Sequence, residues 1–193
     1  MLNPLTLQNS QKQLSQQIDD WANSNHEVSE FMRLVEAVVA TIRHGGKIIF
    51  FGNGGSAAEA SHLAAEFIGK CEKDVGPMAA ISLTDSISSL TAISNDWSYD
   101  EVFSRQVTAL AREHDLLIGL STSGKSRNIL MALATGHQMG IKTSLWTSSS
   151  FKTESNEINF VIKTPSSRTP RSQELHLFLG HLLCEYVEEE FSK

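Results

Sequence analysis

The sequence is poor in cysteine, in basic charge and in long apolar runs. Only Cys71 and Cys184 are present. Two well-separated cysteines make neither a disulfide framework nor a zinc ribbon. Lysine and arginine number 16 against 22 acidic residues, for a net charge of −6. An acidic chain has no general attraction for nucleic acid or anionic membranes. Neither is expected as a partner, although a local basic pocket could still take a small phosphate. No stretch reaches the roughly 18 consecutive apolar residues that suggest a membrane span. The opening MLNPLTLQNSQKQ has no basic region followed by an apolar one, so no secretory leader is expected. Linkers, internal repeats and low-complexity segments are absent too. A cytoplasmic protein is the expectation.

What remains is an ordinary globular composition. The chain has 193 residues, 40% hydrophobic and 20% charged, which fits one domain with a substantial core. Residues 5–24 are rich in Gln, Asn and Ser, with Leu7, Leu14, Ile18 and Trp21 at helical spacing. So narrow an apolar stripe needs a partner. VSEFMRLVEAVVATIRHGG is a stronger amphipathic helix and stops at Gly45-Gly46, a C-terminal signal. Residues 1–45 are thus expected to be a helical extension and 46–193 an α/β core, together one domain.

From Lys47 onward the period changes. KIIFFG (47–52), MAAISL (78–83), DLLIGL (115–120), KTSLWT (142–147) and INFVIK (158–163) read as short apolar strands. Helical stretches at 56–69, 86–95, 100–113 and 126–139 separate most of them, and SQELHLFLGHLLCEYVEEEF forms a long final helix. Such alternation predicts right-handed βαβ units and a doubly wound, five-stranded parallel sheet covered on both faces. Ligands of such sheets sit beyond the carboxyl ends of the strands.

Two polar, glycine-rich turns fall there. GNGGSAAEA (52–60) follows the first strand and STSGKS (121–126) the third. Glycines let the backbone fold around an anion, and the helix start adds N–H groups and a favourable dipole. Ser121, Thr122, Ser123 and Ser126 add hydroxyl donors. One such turn is commonly just a helix cap, but two at one sheet edge suit a compact phosphate. GLSTSGKS (119–126) also satisfies the pattern of a nucleotide-binding P-loop. Three features argue against ATP. The turn follows the third strand rather than opening the fold. No apolar strand ends cleanly in an acidic residue. A P-loop also leaves the first glycine turn and the histidines unexplained.

Four segments carry a family resemblance: FGNGGSAAEASHLAAEFIGK, SLTDSISSLTAISNDWSYDEVFSRQV, STSGKSRNIL and TPRSQELHLFLGHLLCE. In this order, from about residue 30 to the end, they resemble the phosphoheptose isomerases, the sedoheptulose 7-phosphate isomerases of the sugar isomerase (SIS) superfamily. In that family the serine turn usually reads STSGNS. Lys125 replaces the Asn and creates the apparent P-loop.

His62 and Glu66 are spaced i, i+4 and share a helix face. Alone, that pair would read as surface decoration. The resemblance implies that His62, Glu66, Gln173 and His181 bind one zinc or other divalent ion per subunit, a donor set that suits such metals. It also implies Glu66 as catalytic base and His181 as its acid partner. Implied substrate contacts are Asn53, Gly54, Gly55, Ser56, Lys70, Asn95, Asp96, Ser121, Thr122, Ser123, Ser126 and Gln173. Lys70 stands where Arg is often found and offers a point charge rather than a fork.

Gln173 and His181 are about 12 Å apart along a helix and about 80° around it. Convergence on one small ion therefore calls for a bent helix or a site shared between subunits. The latter is favoured, since the family implies a homotetramer. His176 is expected to be structural or supporting.

The implied reaction converts sedoheptulose 7-phosphate to D-glycero-D-manno-heptose 7-phosphate, a precursor for the bacterial cell envelope. It is an aldose–ketose isomerisation without nucleotide or redox cofactor. The competing class is a protein-binding relative of the replication-initiator-associating type, in which the counterparts of Glu66 and His181 are missing. A DNA-binding regulator is disfavoured by the acidic N-terminal segment. Two departures from the family stand out: 148–157 lacks a Gly-Gly loop, and Ser172 replaces an aliphatic residue beside Gln173.

Overall fold

The structure is a computed structural model that describes residues 4–152 and 157–192. Two helices come first, α1 (Pro4–Ala22) and α2 (Asn25–Arg43). The Ser24 hydroxyl caps α2 by accepting from the Glu27 N–H at 3.4 Å. Gly45, at φ +76°, carries the chain out of that helix in the left-handed conformation that glycine adopts most readily. The core follows: β1 (Ile48–Gly52), α3 (Gly55–Ile68), β2 (Ala80–Ser82), α4 (Ile87–Asp96), α5 (Val102–Leu110), β3 (Leu116–Leu120), α6 (Arg127–Gln138), β4 (Lys142–Ser148), β5 (Phe160–Thr164) and α7 (Thr169–Phe191).

All five strands are parallel, in the order β2-β1-β3-β4-β5. Alternate residues of each strand face opposite layers, as strand geometry requires. Ile48, Phe50, Leu116, Ile118 and Trp146 pack with α2, α3 and α7. Ile49, Phe51, Leu117 and Leu145 pack with α5 and α6. Burial on both faces explains why β1 and β3 are apolar at nearly every position.

Three elements differ from the sequence expectation. The strand expected over 78–83 is shorter, Ala80–Ser82. The helix expected over 100–113 is a 3₁₀ turn, Tyr99–Glu101, followed by α5, and it ends at Leu110. Ala111 is already extended (ψ 148°). The cause is Asp115, whose buried carboxylate accepts the N–H groups of Arg112 (2.8 Å) and Lys47 (2.9 Å) and pairs with the Lys47 ammonium at 2.5 Å. The last strand starts at Phe160 rather than Ile158, because the Asn159 side chain occupies the ladder and accepts from the Thr143 N–H at 2.9 Å.

The sheet order locates the site. β1 pairs with both β2 and β3, so the connections leave toward opposite sides there. Ligands of open α/β sheets bind at such a switch point. Gly52 and Leu120 are register partners, so the two glycine-rich turns leave the sheet side by side.

Candidate active site

The turn after β1 is held by close approaches. A Cβ on Gly52 would lie 2.3 Å from the Ser56 carbonyl oxygen, and one on Gly55 would lie 2.3 Å from Gln173 Nε2. Gly54, at φ +56°, precedes the first residue of α3 and offers no side-chain cap. Ser126, before α6, makes no cap bond either. It accepts instead from the Ser121 hydroxyl at 3.1 Å. At α3 the Ser56 and Ala57 N–H groups bond the Asn53 and Gly54 carbonyls at 3.0 and 3.1 Å, and at α6 the Ile129 N–H donates to Asn128 Oδ1 at 2.9 Å, which leaves the Gly55, Arg127 and Asn128 N–H groups facing outward. Both starts can therefore receive an anion.

The second turn is braced from two sides. Gly124, at φ +66°, lies under the Phe151 ring, which sits 2.3 Å from where its Cβ would be. The Lys125 N–H donates to Ser123 Oγ at 3.1 Å, and the Gly124 N–H to the Ser121 carbonyl at 2.8 Å. Phe151 belongs to the stretch 148–157 that departs from the family, of which residues 153–156 lie outside the described residues. The other departure, Ser172, is buried and donates to the Ser166 carbonyl at 3.2 Å.

Between the turns lies a polar clamp that sequence reasoning missed. The amides of Asn53 and Asn128 bond reciprocally, at 2.9 and 3.0 Å. Tyr99 donates its hydroxyl to Asn53 Oδ1 at 2.8 Å. Asn128 is buried and ties the first turn of α6 to the turn after β1. Its only sequence signal is its place two residues after the serine turn.

The histidines lie one layer away. α3 and α7 pack closely because residue 180 is glycine: a Cβ there would lie 2.3 Å from a Leu63 methyl. The neighbouring side chains then meet. His62 Nε2 lies 2.7 Å from His181 Nε2 and 3.4 Å from Glu66 Oε1. Among the described residues, His62, Glu66 and His181 form a group of three metal-ligating side chains with donor atoms all within 4.8 Å. Two imidazoles and a carboxylate that close fit a first-row divalent ion such as zinc.

One chain thus brings together His62, Glu66 and His181. Gln173 faces α3 as well, but two turns away against Gly55, in line with the separation expected along the helix. Asn95 donates to Asp96 at 2.8 Å at the exposed end of α4. Lys70 is exposed beyond the end of α3. No described contact joins these three to the histidine cluster. His176 is fully buried against Trp146, with Nε2 3.3 Å from the Thr147 carbonyl. Burial lowers its pKa to about 4, so the ring is neutral.

Glu59 is a second residue that the sequence did not point out. It stands at i−3 from His62 and i−7 from Glu66, on the same side of α3. It is 7% exposed, and its carboxylate has no partner of good hydrogen-bond geometry. Burial pushes its pKa up to about 7, and the nearby Ser56 side chain offsets only part of that.

These features define a doubly wound α/β protein with two glycine-rich turns at the sheet's switch point and a histidine–carboxylate cluster on α3 and α7. Residues 13–148 match the SIS domain family. The chain is 41% identical over 162 residues to the phosphoheptose isomerase of Thermodesulfovibrio yellowstonii, covering 84% of this chain and 81% of the relative. It is 46% identical over 158 residues to that of Paramagnetospirillum magneticum, covering 82% of each. The solved phosphoheptose isomerase of Neisseria gonorrhoeae superposes with a TM-score of 0.86 at 32% identity, over 95% of this chain and 97% of that one. The chain belongs to the SIS domain family and, within it, to the phosphoheptose isomerases.

Proposed function

We propose that the protein isomerises sedoheptulose 7-phosphate to D-glycero-D-manno-heptose 7-phosphate, supplying a heptose precursor of the bacterial cell envelope. The observation that carries the reading is the meeting of His62, Glu66 and His181 beside two uncapped helix starts, in a chain so similar to phosphoheptose isomerases.

The turns at 53–56 and 121–126 hold the phosphate through backbone N–H groups and the hydroxyls of Ser56, Ser121, Thr122, Ser123 and Ser126. Anchoring that end fixes the other, which lowers the entropic cost of alignment. Asn53, held by Asn128 and Tyr99, presents a fixed amide to the sugar hydroxyls. Gly54 and Gly55 let the chain approach the ligand closely. Asn95, Asp96, Lys70 and Gln173 complete the substrate contacts.

Glu66 is the base that moves a proton between C1 and C2. His181 manages the protons on the adjacent oxygens. General acid–base catalysis of this kind contributes roughly 10²–10⁴-fold. His62, Glu66 and His181 of one chain would hold one zinc or similar divalent ion, with Gln173 reaching it from a neighbouring subunit. Such an ion would supply Lewis-acid polarisation of the substrate carbonyl. Hydrogen stays on the substrate, so the reaction uses no redox cofactor and no nucleotide.

The whole chain is read as one SIS domain that works in the cytoplasm as a homotetramer, its N-terminal helices serving oligomerisation. Among the described residues, no helix is long and apolar enough to cross a membrane. Ile87 and Trp97, at the two ends of α4, are exposed, consistent with subunit contacts near the site.

The test is incubation of zinc-loaded protein with sedoheptulose 7-phosphate, followed by detection of the aldoheptose phosphate. Product formation is expected. A folded, metal-loaded protein that yields none would overturn the assignment and favour a protein-binding role.

A further inference from the structure

The chain's two cysteines are far apart in sequence, yet the fold brings them together. α3 ends at Ile68, and the chain then crosses to α7. There a single buried carboxylate holds it: Glu188 accepts the N–H groups of Cys71, Glu72 and Lys73 at 2.8, 3.0 and 2.8 Å. The Lys73 ammonium also pairs with Glu189. Cys184 lies one turn before Glu188 on the same buried face of α7. The clamp therefore delivers Cys71 to the face of α7 that carries Cys184, and Cys71 packs against the same apolar cluster that contains Cys184. Cys184 is fully buried, whereas Cys71 is half-buried. Only Cys71 is within reach of a small reagent from outside.

We infer that Cys71 and Cys184 form a hydroperoxide-oxidisable dithiol that closes to a disulfide between the exit of α3 and α7. The Cys71 thiolate attacks a peroxide oxygen. An S–O bond forms, the O–O bond breaks, and hydroxide leaves to become water. The Cys184 thiolate then attacks the Cys71 sulfur. An S–S bond forms, the S–O bond breaks, and a second water leaves. Two thiols lose two electrons together, and one hydrogen peroxide is reduced to two waters. The bridge joins the two helices that carry His62, Glu66 and His181, with Cys184 one turn beyond His181.

The surroundings set the rate. Burial is the main influence on Cys71, followed by the carboxylates of Glu66 on α3, Glu188 and Glu185 on α7, and Glu72 in the connection. Together they push its thiol up to about 11. Burial, Cys71 and the same Glu66 and Glu188 raise Cys184 as well. The thiolate is the reactive form, so closure is slow at neutral pH. Below pH 11 it should speed up by about tenfold per pH unit.

The test uses the reduced full-length protein, freed of reductant and treated with hydrogen peroxide at pH 9. Free thiols are then alkylated, and intact and peptide masses are measured while circular dichroism verifies the fold. The expected result is a monomer that has lost 2 Da and yields a linked Cys71–Cys184 peptide. Dithiothreitol should reverse it, and the oxidised form should melt at higher temperature. At pH 7 closure should be roughly 100-fold slower. Cys184→Ala should send Cys71 on to a sulfinic acid, a gain of 32 Da. Cys71→Ser should leave Cys184 a thiol. Recovery of both cysteines as free thiols from folded, peroxide-treated protein would overturn the inference. So would a sulfinic acid on Cys71 in the unsubstituted chain, or disulfide-linked dimers.

Discussion

The Nε2 atoms of His62 and His181 lie 2.7 Å apart, on helices α3 and α7, with their rings at 77° to one another. Two N–H groups cannot face each other at that distance, and two lone pairs would repel. Without a cation, one ring must donate to the other. A shared cation lets both turn lone pairs inward, with Glu66 Oε1 3.4 Å from His62 Nε2. Zinc is therefore expected to bind the folded chain and stabilise it, by about 2.7 kcal/mol when free zinc is 100-fold above its dissociation constant. His62→Ala should lose that response. Thermal melts with and without chelator, alongside zinc content, check this.

Gly180 sets the distance between those helices. A methyl at this position meets Leu63 at 2.3 Å, so Gly180→Ala should push α7 away from α3. The expected cost is about 1–3 kcal/mol, typical of overpacking, together with weaker zinc binding. Shortening Leu63 in the same chain should recover part of the zinc affinity. A double-mutant cycle measures that coupling.

Asn128 positions Asn53 rather than the substrate itself. Asn128→Ala removes the reciprocal amide bonds and leaves Asn53 tied only to Tyr99. The expected stability loss is about 1–3 kcal/mol, the usual result of leaving a polar partner unpaired. KM for the sugar phosphate should rise while zinc content stays unchanged. Tyr99→Phe should show the same pattern more weakly. Steady-state kinetics with metal analysis separates this from damage to the zinc cluster.

Glu59 and His176 give opposite pH dependences. The Glu59 carboxyl rises from 4.5 to about 7 on folding, so the native state binds the extra proton between those values. Its contribution to stability falls as pH rises through that window. The His176 ring drops from 6.5 to about 4, so there the unfolded state binds the extra proton. Its contribution rises with pH from 4 to 6.5. The two slopes, each at most about 1.4 kcal/mol per pH unit, oppose one another where they overlap. Relative to the unsubstituted chain, Glu59→Gln should gain stability progressively from pH 4.5 to 7 and stay level above. Denaturant titrations at a series of pH values would show it.

Much of the fold can be read from residue pattern alone. β1 and β3 are buried on both faces and so are unbroken apolar runs, while Gly45, Gly52 and Gly54 mark turns that demand glycine. The order of the strands is another matter. The adjacency of Gly52 and Leu120 depends on which side each crossover takes, and local sequence does not encode it. Helical spacing puts His62 and Glu66 on one face but reads as a surface pair until the family resemblance is added, and their meeting with His181 depends on the close contact at Gly180. Asn128, Tyr99 and Glu59 stayed hidden for the same reason. Each is an ordinary polar residue until tertiary packing buries it or gives it a partner. The end of α5 is not legible locally because Asp115 binds both Arg112, three residues before it, and Lys47, 68 residues before it.

The central claim is that the Glu66 carboxylate carries the proton. The most direct measurement is the rate of sedoheptulose 7-phosphate isomerisation by the unsubstituted protein and by Glu66→Gln, at matched zinc occupancy. The expected result is turnover by the former and a loss of roughly 10²–10⁴-fold in the latter, the usual range for a missing general base. A Glu66→Gln protein that holds zinc and turns over within a few-fold of the unsubstituted rate would contradict it.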